Sequence, residues 1–131
     1  MKEIEGKYND LTYRIIGCAL EVHKILGCGF LEYVYHDAFE YELKKEGLIY
    51  EREKQLLIPY KDITLEHKYR VDFFVENKII VELKASKKIT GIDEAITINY
   101  INSGEYDIGL LFNFGELKLK YKSPENRKYL K

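Results

Sequence analysis

Residues 69–84, YRVDFFVENKIIVELK, carry the clearest structural pattern in this sequence. Apolar residues recur with period two on both sides of a polar segment, Glu76–Lys78, which predicts two antiparallel strands joined by a three-residue turn. In that arrangement Val75 faces Ile79, and one side of the paired strands is wholly apolar. We expect this side to be core, and it consists of Val71, Phe73, Val75, Ile79, Val81 and Leu83.

The other side of the same strands carries the candidate chemistry. The pairing sets Asp72 directly opposite Glu82, and Lys84 follows two residues further along the second strand. Opposed residues of an antiparallel pair have Cβ atoms roughly 5 Å apart, so two carboxylates and a lysine meet on one patch. This prediction depends on the register, because a two-residue turn would put the two acids on different faces.

Two interpretations of this acidic pair follow from the residues. Close carboxylates raise each other's pKa unless a cation lies between them, and a divalent ion with oxygen ligands, Mg²⁺ by preference, would remove the repulsion. Lys84 would then be placed to orient or deprotonate a water, or to stabilise charge that develops on phosphorus. The alternative is a surface cluster of cross-strand salt bridges, worth about 0.5 kcal/mol, which is common on half-exposed sheets.

The tripeptide Glu-x-Lys contributes little specificity by itself. It begins at Glu5, Glu42, Glu66, Glu76, Glu82 and Glu116. Only Glu82 has both an upstream acid at a pairing position and an apolar opposite face. The position of the tripeptide within the predicted hairpin therefore marks the candidate site.

Helices and further strands are predicted on both sides of this hairpin. The predicted helices run from Asp10 or Leu11 to Leu26, from about Leu31 to Lys45, and from Thr90, as a capping residue, to Ser103. The predicted strands lie within Leu48–Tyr60, Leu65–Val75, Lys78–Ala85, Asp107–Phe114 and Glu116–Lys122. The order ααβββαββ predicts a sheet with helices packed on it, an α/β or α+β fold, in a single domain over residues 1–131.

A third acid lies on the second predicted helix. Glu32 precedes Tyr35 by three residues and Phe39 by seven, so it lies at the flank of the apolar stripe and should be partly buried. If this helix packs over the site face of the sheet, Glu32 could be a third metal ligand. It could equally be a half-exposed first-turn glutamate that the helix dipole favours.

Histidines and cysteines give a weaker signal. Cys18, His23, Cys28 and His36 suggest a zinc site, but Cys18 and His23 are separated by five residues on one helix, about 140° round its axis. The cysteines are better explained as small core residues. His23 could line the site, or it could be a histidine of the helix surface.

The charge balance separates the end of the chain from the rest. The 131 residues carry 21 Lys and Arg against 22 Asp and Glu, and the net charge of -1 removes the simplest argument for a nucleic-acid partner. Residues 116–131 nevertheless have a basic surplus. No apolar run approaches the ~20 residues that span a bilayer, and the 2 cysteines make no disulfide scaffold, so we expect a cytoplasmic protein without a membrane partner.

The segment Gly29-x-x-Glu32-x-x-Tyr35 resembles the signature of the family known as GxxExxY proteins. The resemblance covers about Leu11 to Phe114, and its further motifs, in order, are Glu21-Val-His23, Tyr69-Arg-Val-Asp72, Val81-Glu-Leu-Lys-Ala85 and Asn99-Tyr100. It implies a PD-(D/E)XK nuclease-like fold, also called restriction-endonuclease-like, with an αβββαβ core and a mixed central sheet flanked by helices. Members of that superfamily are mostly Mg²⁺-dependent nucleases.

The resemblance also implies roles for individual residues. Asp72, Glu82 and Lys84 match the catalytic acids and lysine of the superfamily, and Glu32 matches an acid on its first core helix. Mg²⁺ or Mn²⁺ would bind Asp72, Glu82 and Glu32. The residues expected to support the site are His23, Tyr35 and Tyr100.

One position departs from the superfamily pattern. A glutamine often stands four residues before the tyrosine of the helix that follows the lysine strand, and here that position is Ile96, ahead of Tyr100. The departure bears on substrate positioning and, to a lesser degree, on activity.

The expected function is therefore metal-dependent hydrolysis of phosphodiester bonds in DNA. Lysines that could hold the phosphate backbone, or could be solvated surface, are Lys87, Lys88, Lys118, Lys120 and Lys122. Small superfamily members often pair to present two sites to a duplex, so we expect a homodimer. The alternative is a catalytically silent module that keeps the fold and binds nucleic acid or protein.

Overall fold

The computed structural model describes residues 9–103, 106 and 108–124, without the side chains of residues 102 and 103. The helices in this part of the chain are α1 (Asn9–Leu26), α2 (Glu32–Lys45) and α3 (Gly91–Ser103). The strands are β1 (Tyr50–Leu56), β2 (Pro59–Tyr60), β3 (Ile63–Thr64), β4 (Tyr69–Val75), β5 (Ile79–Lys84), β6 (Ile108–Asn113) and β7 (Lys120–Lys122). The three predicted helices are confirmed. Among the described residues, no helix is both long and apolar enough to cross a membrane.

The strands form one mixed sheet and a small separate hairpin. Within the described residues the sheet has the order β1-β4-β5-β6-β7, and β2 pairs only with β3. β5 and β6 are parallel, with α3 as the crossover between them, whereas the other neighbours are antiparallel. The predicted αβββαβ core is confirmed, and it runs through α2, β1, β4, β5, α3 and β6.

Helices cover both faces of this sheet. The larger apolar cluster joins α1 and α2 to one face and includes Ile15, Val22, Tyr35, Phe39, Phe73, Val81, Leu83 and Phe112. The smaller cluster lies on the opposite face, against α3, and comprises Leu56, Val71, Phe74, Ile80 and Ile101. The face of Phe74 and Ile80 is therefore largely buried under α3, whereas the alternative of a surface salt-bridge cluster needed it to be half exposed.

The turn between β4 and β5 is the one that the sequence predicted. In the antiparallel pairing Val75 lies opposite Ile79, and the next two residue pairs along the strands follow in the same register. Continued by one more pair, this register places Asp72 opposite Glu82 and brings the two candidate acids together.

The predicted face of Val71 is wrong. Val71 lies in the smaller cluster together with Phe74, although strict alternation would put residues three positions apart on opposite faces. The register between β1 and β4 is continuous except at the level of Glu53 and Asp72, and Glu53 has a φ of 57°. This irregularity shifts the alternation by one residue, and Asp72 lies at the point of the shift.

Other predicted strands differ in extent. The strand predicted within Leu48–Tyr60 divides into β1 and β2, and the one predicted at Leu65–Val75 begins only at Tyr69. Of Glu116–Lys122, only the last three residues form β7. The predicted strand start at Asp107 falls outside the described residues.

A buried asparagine fixes the loops beside the carboxyl end of β5. The Oδ1 of Asn113 accepts the N–H groups of Ser86 at 3.0 Å and Gly115 at 3.1 Å. Its Nδ2 donates to the carbonyl oxygen of Ser86 at 2.9 Å and to Glu116 Oε2 at 2.8 Å. All the hydrogen-bonding capacity of this amide is used, so Asn113 clamps the segment after Lys84 to the loop after β6.

Replacing Asn113 with Ala should destabilise the protein by about 3 kcal/mol or more, because Ser86 and Gly115 would lose buried partners. Denaturant unfolding measures this change. The matched control is Asn99→Ala on the exposed side of α3, which should change stability by less than about 1 kcal/mol. Equal effects of the two substitutions would contradict the clamp.

Candidate active site

Asp72 and Glu82 lie side by side where β4 and β5 leave regular pairing. Their carboxyl groups lie close enough that Asp72 raises the pKa of Glu82. Asp72 Oδ2 also accepts the backbone N–H of Leu83 at 2.7 Å. A side-chain oxygen of β4 therefore takes the place of the backbone carbonyl that would accept this N–H in a regular sheet. The irregular backbone at Asp72 thus directs its carboxylate against β5.

Glu82 is held in an environment that disfavours its charge. It is only 9% exposed. Burial, and then the charge of Asp72, raise the pKa of Glu82 to about 9. Glu82 therefore carries a proton at neutral pH when no cation is bound, and the arrangement is not a surface cluster of salt bridges.

Two stacked tyrosines lie beside Glu82. The hydroxyl of Tyr69 donates to Glu82 Oε1, and its ring stacks on that of Tyr100 with centroids 3.4 Å apart and planes inclined by 7°. Burial and the charge of Glu82 raise the pKa of Tyr69, which keeps this hydroxyl a donor. Tyr100, a predicted supporting residue, is therefore connected to Glu82 through Tyr69.

Sequence reasoning missed the role of Tyr69. Strict alternation puts Tyr69 and Asp72 on opposite faces, because they are three residues apart. The reversal of the alternation between them brings both side chains to Glu82. The resemblance to a known motif at Tyr69-Arg-Val-Asp72 was the one signal that included this tyrosine.

Lys84 is positioned by the beginning of α3. Its Nζ lies 3.9 Å from Asp93 Oδ1, and its charge lowers the pKa of Glu82. Asp93 is fixed in turn by Thr90, whose N–H donates to Asp93 Oδ2 at 2.9 Å and whose Oγ1 accepts the N–H of Asp93 at 3.2 Å. The predicted cap of α3 therefore also holds the partner of Lys84.

A buried histidine lies between Asp72 and the acid of α2. His36 is 3% exposed, and its Nε2 is 3.6 Å from Asp72 Oδ2 and 3.8 Å from Glu32 Oε2. The Glu32 side chain is 46% exposed, at the rim of the site. Helix α2 packs on the sheet face opposite the Glu82 side chain. Glu32 therefore lies nearer to Asp72 than to Glu82, with His36 between Glu32 and Asp72.

The donor set suits a divalent cation. As the side chains stand, no three His, Cys, Asp or Glu residues in the described ranges converge closely enough to hold an ion. Burial and the charge of Asp72 nevertheless raise the pKa of Glu82, and both nitrogens of His36 are buried without a hydrogen-bond partner in this part of the chain. A cation bound between these groups would offset the repulsion of the two acids and give His36 a partner, so the residues fit a metal.

Two predicted supporting residues stabilise loops around the end of α1. Tyr35 is fully buried, its hydroxyl donates to the carbonyl oxygen of Gly27 at 2.6 Å, and the N–H of Phe30 donates to the same hydroxyl at 3.2 Å. His23 Nε2 lies 2.9 Å from the carbonyl oxygen of Glu116. These contacts give both residues structural roles beside the site.

The lysines predicted to contact nucleic acid are partly collected in one groove. Lys87, Lys118 and Lys120 line an open groove of about 570 Å³ together with Cys28 and residues 115–117. Lys88 is exposed but does not line this groove, and Lys122 lies 4.0 Å from Glu94. Since Lys87 is three residues after Lys84, the groove adjoins the carboxyl end of β5.

The fold and the acid, acid-x-lysine arrangement agree with a known class of proteins. A family model described as the PD-(D/E)XK nuclease superfamily matches residues 9–125. The chain belongs to the PD-(D/E)XK nuclease superfamily. Assignment to the GxxExxY proteins within it stays a prediction.

Solved structures agree with this fold. One, titled "Crystal structure of SSO0001", superposes with a TM-score of 0.56 and 19% sequence identity, over 71% of this chain and 48% of that chain. At this identity the likeness concerns the fold alone, and the chain spans about half the length of that protein. No curated protein matches the chain.

Proposed function

We propose that the chain is a divalent-metal-dependent nuclease that hydrolyses phosphodiester bonds in DNA. The observation that carries the proposal is that the register sets Asp72 beside buried Glu82, and that the charge of Lys84 is near enough to lower the pKa of Glu82. When both buried carboxyl groups are ionised, their charges destabilise the folded state. Groups with pKa values shifted in this way are common at functional sites. Superfamily membership supports hydrolysis of nucleic acid.

The proposed roles follow from the contacts of each side chain. Asp72 and Glu82, with Glu32 from the rim, would hold Mg²⁺ or Mn²⁺, which supplies Lewis-acid stabilisation of a phosphoryl oxygen and an acidified water. The N–H of Leu83 fixes Asp72, and the hydroxyl of Tyr69 fixes Glu82. Lys84 orients or deprotonates the attacking water, or neutralises charge on the phosphoryl group.

The groove of Lys87, Lys118 and Lys120 supports a nucleic-acid substrate. Ammonium groups contact phosphates without reading sequence, and three of them line one open surface beside the end of β5. The net charge of the whole chain is -1, so we expect binding to be weak and to fall steeply with added salt.

The direct test is cleavage of labelled single- and double-stranded DNA with Mn²⁺ or Mg²⁺. Wild-type protein should cleave with either or both ions and not with excess EDTA, whereas Lys84→Ala should lower the rate at least about 10²-fold because an acid, base or charge-stabilising group is lost. The matched control is Lys78→Ala in the exposed β4–β5 turn, which should cleave like wild type.

Two outcomes would contradict the proposal. Equal cleavage by wild type, Lys84→Ala and Glu82→Ala would identify a contaminating nuclease. Absence of cleavage on both DNA forms under all metal conditions would favour the silent module instead.

One observation favours that second candidate, a catalytically silent binding module. Ile96, at the position where the superfamily often has glutamine, is an apolar side chain with 43% of its surface exposed on α3. Titration with Mn²⁺ separates the two candidates, because a silent module need not bind metal at a site that Asp72→Asn abolishes.

A further inference from the structure

His36 is a buried polar side chain that the proposed reaction does not use. It is 3% exposed, and neither Nδ1 nor Nε2 has a hydrogen-bond partner among the described residues. A buried polar atom without a partner costs about 1–3 kcal/mol, so native proteins rarely keep one without a reason. A ligand of His36 would remove this cost.

Neighbouring rings fix the orientation of the imidazole. Tyr33 contacts it edge-on with centroids 5.2 Å apart, and Phe73 contacts it at 6.1 Å. In this orientation Nε2 faces Asp72 Oδ2 at 3.6 Å and Glu32 Oε2 at 3.8 Å. Both separations exceed a hydrogen bond, so the nitrogen points into the acidic site without bonding to it.

The separations suit ligands of one ion. Two ligand atoms, each about 2.1 Å from an ion, lie about 3.0 Å apart at a right angle and about 4.2 Å apart on opposite sides. The distances from Nε2 to Asp72 and Glu32 fall between these limits. Glu32 is 46% exposed, so its side chain can turn to complete a set that does not converge as it stands.

We infer that His36 is a ligand of the metal that Asp72 binds, and that it makes the site select a first-row transition ion such as Mn²⁺ or Co²⁺ over Mg²⁺. Neutral imidazole is a good ligand for transition metals, whereas Mg²⁺ prefers oxygen ligands and keeps several waters. The inference rests on the proposed function, because it presupposes a metal site at Asp72.

Pulsed electron paramagnetic resonance of the full chain with bound Mn²⁺ tests the inference directly. A coordinated imidazole modulates the Mn²⁺ signal through its ¹⁴N nucleus, and a site of oxygen ligands does not. We expect this modulation in wild type and its loss in His36→Gln. The matched control is His67→Gln, which removes an exposed imidazole and should keep the modulation.

Calorimetric titration supplies a second readout. His36→Gln should lower the affinity for Mn²⁺ and Co²⁺ at least about 10-fold and that for Mg²⁺ less than about 3-fold. An equal loss for all three ions would indicate a structural role and overturn the inference. If His36→Gln does not fold, as judged by circular dichroism, the wild-type modulation alone decides.

The outcomes distinguish this inference from the proposed function. Mn²⁺ binding that Asp72→Asn abolishes, without ¹⁴N modulation in wild type, would overturn the role of His36 and leave the metal-dependent nuclease standing. No Mn²⁺ binding by wild type would overturn both.

Discussion

Replacing Asp72 with Asn should abolish Mn²⁺ binding and lower the rate of DNA cleavage at least about 10³-fold, because a metal supplies several kcal/mol of transition-state stabilisation. The fold should persist. The side-chain oxygen of asparagine can still accept the N–H of Leu83, which Asp72 accepts at 2.7 Å. Calorimetric titration, cleavage and thermal unfolding, measured on one preparation, separate these effects.

The matched control is Asp62→Asn, a substitution at an exposed residue between β2 and β3. It should bind Mn²⁺ and cleave DNA like wild type. Cleavage by Asp72→Asn at the wild-type rate would contradict the account, and so would an unchanged Mn²⁺ affinity in that variant.

The stability of the metal-free protein should fall as pH rises from about 5 to about 9, and Glu82→Gln should remove most of this dependence. The pKa of Glu82 is raised from 4.5 to about 9 by burial and by Asp72. Between these values the folded state keeps a proton that the unfolded state releases, so the free energy of unfolding decreases with pH. One proton gives a slope of at most about 1.4 kcal/mol per pH unit.

Urea unfolding in EDTA at several pH values between 5.5 and 8.5 measures this slope. Glutamine can accept from the hydroxyl of Tyr69 and donate to Asp72, and it has no charge to lose, so Glu82→Gln should be the more stable protein at pH 8. The control Glu66→Gln changes an exposed loop residue and should keep the wild-type slope. Parallel slopes for wild type and Glu82→Gln would refute the assigned pKa shift.

These two predictions concern the same pair of acids, the first in the metal-bound protein and the second in the metal-free protein. Glu82 destabilises the metal-free fold above its ordinary pKa range, and the same burial strengthens its interaction with a bound cation. A functional site commonly retains such a conflict between stability and activity.

Local patterns in the sequence were sufficient to predict the β4–β5 hairpin and the N-terminal cap of α3. The turn at Glu76–Lys78 fixed the register, and the register opposed Asp72 to Glu82. Thr90 and Asp93 form the predicted cap of α3. Each of these features depends on residues close together in the chain, or on one short turn.

Features that depend on tertiary packing were not predicted. Nothing in the period of β4 indicates that Val71 changes face, because the irregularity is shared with Glu53 of a different strand. The contact of Tyr69 with Glu82 follows from that reversal. His36 approaches Asp72 only because α2 packs against this end of the sheet.

The contacts of Asn113 and of the lysine groove also depend on tertiary packing. Asn113 holds Ser86 and Glu116 through contacts between two loops, and no local pattern predicts them. The lysine groove combines Lys87 after β5 with Lys118 and Lys120 before and in β7. Their convergence depends on β6 and β7, which bring the loop after β6 next to the segment after β5.

In the proposed active site, Asp72 and Glu82 together hold a divalent cation. Anomalous diffraction from a crystal soaked in Mn²⁺ tests it most directly, because it locates the ion without depending on activity. We expect an anomalous peak within coordination distance of both carboxylates. A crystal that takes up Mn²⁺ only elsewhere, or none at all, would refute a metal site at these two residues.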